Sequence, residues 1–283
     1  MSAFEVRIPR ELARRLGEEA VHVARHGRYA LPQGGTEVII DAEIRQAVER
    51  TVHYPPGHVH AEPRPGVAAT EFEVTNETTL SAARRHRARG LAPAALNFAS
   101  ATSPGGGFLS GARAQEEYLC RSSSLHACLV SSPMYALHHA LDDPLYTDAM
   151  SYSPDVPVFR GDDHAMIPDP WPLSIITSAA CLATEVPRLD QPKIAPVMEA
   201  RIRKVLSVAQ CHGHDSLVLG AWGCGAFGND GNLIAGLFHR ALTEDFKGAF
   251  SSVTFAIVDS TPDGRFIGPF RRAFAKETGL GLN

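Results

Sequence analysis

Short unbroken apolar runs alternate along this chain with stretches whose apolar residues recur at helical spacing. Ala94-Ala95-Leu96-Asn97-Phe98-Ala99 is one such run, bounded by Pro93 on one side and Ser100, Thr102, Ser103 and Pro104 on the other, the pattern of a buried strand. Glu71-Phe72-Glu73-Val74 alternates like a strand, Val156-Pro157-Val158-Phe159 is strand-like, and the segments 171–178, 216–222 and 252–258 read as further buried strands. Helical spacing appears from Pro9 to Ala20, from Leu80 to a stop at Gly90, and through Glu117, where Leu119, Leu125, Cys128 and Leu129 share one face. Ala195 to Ala209 is the clearest helix, with Val197, Ile202, Val205 and Leu206 inward and Arg201, Arg203 and Lys204 outward. Two more helices are predicted, from Asn232 to Asp245 and from Pro269 to Glu277. The strand–helix–strand order that begins at Glu71 predicts an α/β sheet. Upstream, Glu37-Val38-Ile39-Ile40 is a possible strand, and the proline-, histidine- and glycine-dense stretch from His53 to Pro65 predicts a loop. The expected organisation is a helical N-terminal extension over residues 1–70, packed on a catalytic domain over 71–283.

Composition narrows the class. The 283 residues suffice for one large α/β domain or two small ones without staples. A net charge of -4 with no long basic run removes a general nucleic-acid footprint, so an anionic ligand must be held by local groups. Five cysteines without a Cys-x-x-Cys pair point to a reduced, cytoplasmic protein. The segment 1–7 lacks the apolar core of a signal peptide, and no apolar stretch approaches membrane-spanning length. No cofactor and no metal is expected. His58 with His60, His138 with His139, and Cys211-His212-Gly213-His214 all lack further ligands at metal-site spacing.

The chemistry concentrates between Thr102 and Glu117. Gly105, Gly106 and Gly107 follow a buried strand and precede a helix, the position at which α/β sheets bind ligands. Three residues without Cβ bring backbone N–H groups close to a ligand, and polyphosphate or sugar suits such a loop. Glu116 and Glu117 are neighbours, so their side chains diverge and do not form the two-sided carboxylate clamp of ordinary glycosidases. A single general acid/base, assisted by a second carboxylate on substrate hydroxyls, fits better. A plain alternative is that both glutamates only complement the positive end of a helix. Helix capping, however, asks for no triple glycine.

Gly105-Gly106-Gly107, a seven-residue spacer and Gln115-Glu116-Glu117 resemble the signature of poly(ADP-ribose) glycohydrolases. The flanking Leu96-Asn97-Phe98-Ala99-Ser100 and Arg121-Ser122-Ser123 resemble the bacterial type. From about Phe72 to the C-terminus, the resemblance implies a macrodomain-like three-layer α/β/α sandwich with a mixed sheet. It also implies hydrolysis of the ribose–ribose bonds of poly(ADP-ribose), carried free or on ADP-ribosylated proteins, by a monomer that uses neither nucleic acid nor membrane.

A second glycine loop, Gly223-x-Gly225-x-x-Gly228, stands between a strand and a helix and matches the dinucleotide-binding fingerprint. A dinucleotide-dependent oxidoreductase would carry this turn on its first strand, with an acid about 20 residues further on. Here only one clear strand follows, and Asp259 at its end lies too far along. Backbone donors and a helix N-terminus still suit a diphosphate under either reading. By the resemblance, this loop, including Ala226, grips the diphosphate of ADP-ribose and Phe227 lies against the distal ribose. Phe270, just beyond the last strand, is the candidate for stacking an adenine, with packing against the core as an equal alternative.

The expected mechanism starts with Glu117 protonated on the departing ribose oxygen. It donates that proton and then acts as base on water. Glu116 and Asn97 hold hydroxyls of the distal ribose, and Gln115 supports the loop or the leaving sugar. A macrodomain that only binds ADP-ribose is the rival from another class. It has no need of Gln115-Glu116-Glu117.

Overall fold

The computed structural model describes residues 8–32, 34–58, 63–66 and 69–279. His60 and the segment 1–7 lie outside them. In chain order the elements are α1 (Arg10–His26), β1 (Arg28–Ala30), β2 (Glu37–Ile39), α2 (Asp41–Glu49), β3 (Val52–Tyr54), β4 (Glu71–Thr75), α3 (Thr79–Ala88) and β5 (Pro93–Phe98). A 3-10 turn at Phe108–Ser110 leads into α4 (Gln115–Ser122), α5 (Leu125–Leu129), α6 (Pro133–Leu141), β6 (Met150–Arg160) and β7 (Met166–Ser178). Then come α7 (Ile194–Cys211), β8 (Ser216–Leu219), α8 (Gly231–Arg240), β9 (Ser252–Ala256) and α9 (Gly268–Ala273). The chain forms two compact units, one of Met1–Pro55, Asn97–Ala140 and Ala149–Thr177, the other of Pro56–Leu96, Leu141–Asp148 and Ser178–Asn283.

In the first unit, α1 follows Pro9 and ends at Gly27, whose left-handed backbone (φ 67°) returns its N–H to Val23 O at 2.8 Å. Ala13, Leu16, Gly17, Ala20 and Val23 form its buried stripe. Ala20 and Val23 pack with Tyr29, Ile40, Ile44 and Phe159. β3 pairs antiparallel with β6, Val52 opposite Tyr152. The start of the expected loop at His53 is therefore an edge strand, and the loop begins after Tyr54. The single helix expected through Glu117 is instead two, α4 and α5. The Ser123 hydroxyl bonds Leu119 O at 2.8 Å and the Ser124 N–H bonds Pro157 O at 3.1 Å, so the chain leaves the helix to bridge β6. Serines offer the backbone such local alternatives to helical bonding.

In the second unit, β5, β8, β9 and β4 are parallel neighbours, with Pro93 opposite Ser216, and Ser216 and Glu71 both opposite Ser252. β5, β8 and β9 are buried along almost their whole length, as parallel strands covered on both faces must be, while the edge strand β4 alternates, with Phe72 and Val74 inward. Trp222, Phe238, Phe255, Phe270 and Phe274 are fully buried there. α3 is started by the Thr78 hydroxyl, which accepts the Ser81 N–H at 3.0 Å.

Two residues expected to point outward on α7 are buried. Lys204 pairs with Asp148 at 3.0 Å. Arg201 donates to Ala179 O at 3.0 Å, to Tyr146 O at 2.9 Å and to Leu145 O. Helical periodicity assigned both cations to solvent because it carries no record of the carbonyls that the loop over residues 141–148 turns toward the helix. Removing that guanidinium strands buried acceptors. Arg201→Met is expected to lower stability by roughly 3 kcal/mol in urea denaturation, and a midpoint within error of wild type would refute the clamp.

Candidate active site

The strand β5 carries Asn97 and ends at Phe98, and the chain then makes the Ser100–Gly107 loop before entering α4. Gln115 opens that helix, and its Oε1 accepts the Phe98 N–H at 2.9 Å, pinning the helix start to the strand end. Glu116 and Glu117 follow in the first turn, where negative charge complements the helix dipole. Both are buried, at 3% and 8% exposure, so dipole complementarity alone does not explain them. Carboxylates removed from water need replacement donors.

The end of β5 and the loop after it supply those donors. Glu116 Oε2 accepts the Ser100 N–H at 2.6 Å and Oε1 accepts Asn97 Nδ2 at 3.3 Å, while the same amide reaches Thr177 Oγ1 at 3.2 Å. Glu117 Oε1 accepts the Gly107 N–H at 2.9 Å. Its other oxygen, Oε2, is buried with no hydrogen-bond partner among the described residues. Burial pushes the Glu116 carboxyl up to about 8, against the Ser100 and Asn97 hydrogen bonds and with help from the Glu117 charge.

The triple glycine thus has a second purpose. At Gly106 (φ 58°) a Cβ would stand 2.4 Å from Glu117 Oε1 and 3.0 Å from Glu116 Oε2, so the loop is bare in order to wrap its own carboxylates. The Gly106 N–H bonds Ser103 O at 2.9 Å, and the Gly107 N–H is held by Glu117. Two of the amides expected to meet a ligand are therefore engaged inside the loop.

In the second unit, β8 leads into the loop Gly223–Gly228. The Asn229 N–H bonds Gly223 O at 3.0 Å and the Gly228 N–H bonds Gly225 O at 3.0 Å. Asn229, buried, ties the loop down by donating from Nδ2 to Cys181 O at 2.7 Å. The amides of Gly225, Ala226 and Phe227 make no such bond among the described residues, and a Cβ at Gly225 would meet only open space. Three successive N–H groups without an internal partner are available to an anion. The helix N-terminus expected to help is already occupied, since Asp230 caps α8 and accepts the Asn232 N–H at 2.7 Å.

Cys224, Gly225, Ala226, Asn229, Gly231, Arg265 and Phe266 line a cavity of about 580 Å³ beside this loop. Phe227 is half-buried, its ring 6.4 Å from that of Tyr146, a residue in left-handed backbone (φ 54°). Phe270 is not available to a ligand. It is 0% exposed and packs on Phe255 at 5.1 Å, because it lies on the inward face of α9. Phe266, half-buried and covered by the Arg265 guanidinium at 4.6 Å, is the aromatic that reaches the cavity. Its only sequence signal was its place in a glycine- and proline-bearing loop after the last strand. Asp259 holds that loop. Burial would raise its pKa, but Thr261, Phe266 and Ile267 all donate to the carboxylate and keep it below its ordinary range. With its oxygens so used, Asp259 does not serve as the ribose-binding acid of a dinucleotide enzyme.

The buried Glu116 carboxyl makes stability depend on pH. Its folded-state pKa lies above the ordinary 4.5, so its contribution is complete below about pH 4.5 and is lost as pH rises through about 8. Glu116→Gln is expected to flatten the fall in melting temperature between about pH 4.5 and pH 8, an effect on the order of a few kcal/mol. Parallel curves for the two proteins would show that Glu116 does not carry the proton.

Known proteins share this architecture. A family model described as the catalytic domain of microbial-type PARG, the poly(ADP-ribose) glycohydrolases, matches residues 17–161, just over half of the chain. The crystal structure of the poly(ADP-ribose) glycohydrolase of Thermomonospora curvata is 42% identical, with a TM-score of 0.85 over 93% of this chain and 100% of that one. The same enzyme bound to the inhibitor ADP-HPD superposes equally well. The Deinococcus radiodurans enzyme in complex with ADP-ribose is 40% identical, with a TM-score of 0.77 over 84% of this chain and 99% of that one. No protein of curated function matches the chain. The mixed α/β fold is that of these glycohydrolases and is macrodomain-like. The chain belongs to the microbial-type poly(ADP-ribose) glycohydrolase family.

Proposed function

We propose that this protein hydrolyses the ribose–ribose O-glycosidic bonds of poly(ADP-ribose) and releases ADP-ribose, with Glu117 as general acid/base. One observation carries the assignment of the acid. Glu117 Oε1 is fixed by the Gly107 N–H, while Oε2 is buried and bonded to nothing, which leaves one oriented oxygen for a proton in transit. Glu116, with both oxygens already engaged, is better suited to hold than to transfer.

The steps follow from general acid–base chemistry. Glu117 gives its proton to the oxygen of the departing ribose as the bond from that oxygen to the anomeric carbon breaks, and positive charge develops on the sugar. The ionised Glu117 then takes a proton from water as the water oxygen bonds to the anomeric carbon, which restores the acid. Glu116 and Asn97 hold hydroxyls of the distal ribose. Gly105 to Gly107 shape the loop around the acid, and Gln115 supports it through Phe98. The free amides of Gly225, Ala226 and Phe227, in the loop from Gly223 to Gly228, take the diphosphate. The Phe227 ring contacts the ribose, and Phe266 replaces Phe270 as the residue for adenine.

The substrate is poly(ADP-ribose), free or attached to protein, and we place the enzyme in the cytoplasm as a monomer. All five cysteines are free thiols, which suits a reducing compartment. Among the described residues no helix is long and apolar enough to cross a membrane.

Product release from purified poly(ADP-ribose) tests the reading. Glu117→Gln should lose activity by a factor on the order of 10²–10⁴ or more, while its calorimetric affinity for ADP-ribose stays near that of wild type. If wild type binds ADP-ribose and releases nothing from the polymer, the glycohydrolase reading fails. Phe227→Ala should weaken ADP-ribose binding by roughly 3- to 10-fold, the ordinary worth of an aromatic contact; unchanged affinity would remove Phe227 from the site.

A further inference from the structure

We infer that helix α1, which carries none of the residues assigned to substrate, is the positioning element of Glu117. The inference rests on the glycohydrolase reading for its catalytic consequence and on geometry for its content. The Gly107 N–H that fixes Glu117 belongs to a tight turn closed by the Ser110 N–H and the Ala112 N–H, both bonded to Gly107 O at 3.0 Å. That turn is seated on α1. The α1 backbone at Gly17 lies so close to it that a Cβ there would stand 2.8 Å from Phe108 O and 3.2 Å from the Phe108 ring. At its other end, Arg10 Nε donates to Ser110 O at 2.8 Å. Gly111 lies against the same residue, where a Cβ would stand 2.3 Å from Arg10 O.

A second set of bonds ties α1 to the catalytic helix itself. The Arg160 side chain, fully buried, donates to Leu16 O at 3.2 Å and to Arg121 O, and its other terminal nitrogen pairs with Glu19. One guanidinium thus joins a mid-helix carbonyl of α1 to the last turn of α4. Arg121, one helical turn after Glu117, donates from Nη1 to Ala112 O at 2.6 Å. The path from Glu117 through Gly107, Ala112 and Arg121 back along α4 is therefore a closed ring, and α1 supports it at both the turn and the helix. Gly17 has a helical, unstrained place in α1. Alanine would otherwise be favoured there, by about 1 kcal/mol. The close approach to Phe108 is the physical reason for glycine.

The test uses the full-length chain with Gly17→Ala, Arg10→Ala and, as a control on the solvent side of α1, Arg14→Ala, which pairs only with Glu11 and Glu18. Each is assayed below its melting temperature for kcat and KM on poly(ADP-ribose) and for ADP-ribose affinity. The Gly107 amide resonance reports its bond to Glu117 whether or not turnover occurs. Gly17→Ala should lower kcat by about 10- to 100-fold, the scale expected for a small misplacement of a catalytic group. It should also shift the Gly107 resonance while ADP-ribose affinity and KM hold. Arg10→Ala should do the same to a smaller degree, and Arg14→Ala should do neither. If Gly17→Ala does not fold, Arg10→Ala decides. Folded variants with wild-type kcat and an unmoved Gly107 resonance overturn the inference. If wild type itself does not cleave the polymer, the functional reading falls, and the Gly107 resonance alone judges the positioning.

Discussion

Two adjacent carboxylates held out of water are the constraint on which the site depends. Carboxyl oxygens taken out of water must be met by donors or they cost the fold stability. Here Ser100 N–H, Asn97 and Gly107 N–H meet three of the four, and one is left unmet. The end of β5, the bare loop after it and the first turn of α4 are placed where they are because those donors must converge on Glu116 and Glu117. The site and the local fold have the same cause.

The unmet oxygen gains its meaning from the three that are met. A carboxyl free to rotate would present its proton in no particular direction, whereas Glu117 is anchored through one oxygen. Anchoring Glu116 through both separates the duties of two residues with identical side chains. Environment, and not residue type, divides holding from transfer.

Much of this was legible in the sequence, for identifiable reasons. The run from Pro93 to Phe98 is a strand because it is short, apolar and bounded by proline, and Gly90 lies just past the end of α3, as a glycine stop does. The motif Gly105 to Glu117 located the carboxylates, but the purpose of its glycines did not show, since a linear pattern does not reveal that the loop folds over the acids that follow it. Arg201 and Lys204 were misjudged because helical periodicity reports spacing and not which carbonyls surround a face. Phe270 and Phe266 are four residues apart in similar company, and only the direction of the turn held by Asp259 separates a core ring from a cavity ring.

The capping of α8 by Asp230 has a consequence for how the proposed enzyme lets go. With the helix end neutralised by its own side chain, Arg265 is the fixed cation at the cavity, and the proposed anion site at Gly225, Ala226 and Phe227 otherwise attracts through short-range amide dipoles. Such attraction fades within a contact distance, unlike the field of a fixed cation. In the proposed enzyme the amides grip a diphosphate only when it is seated, and the pull on one that has lifted comes from Arg265.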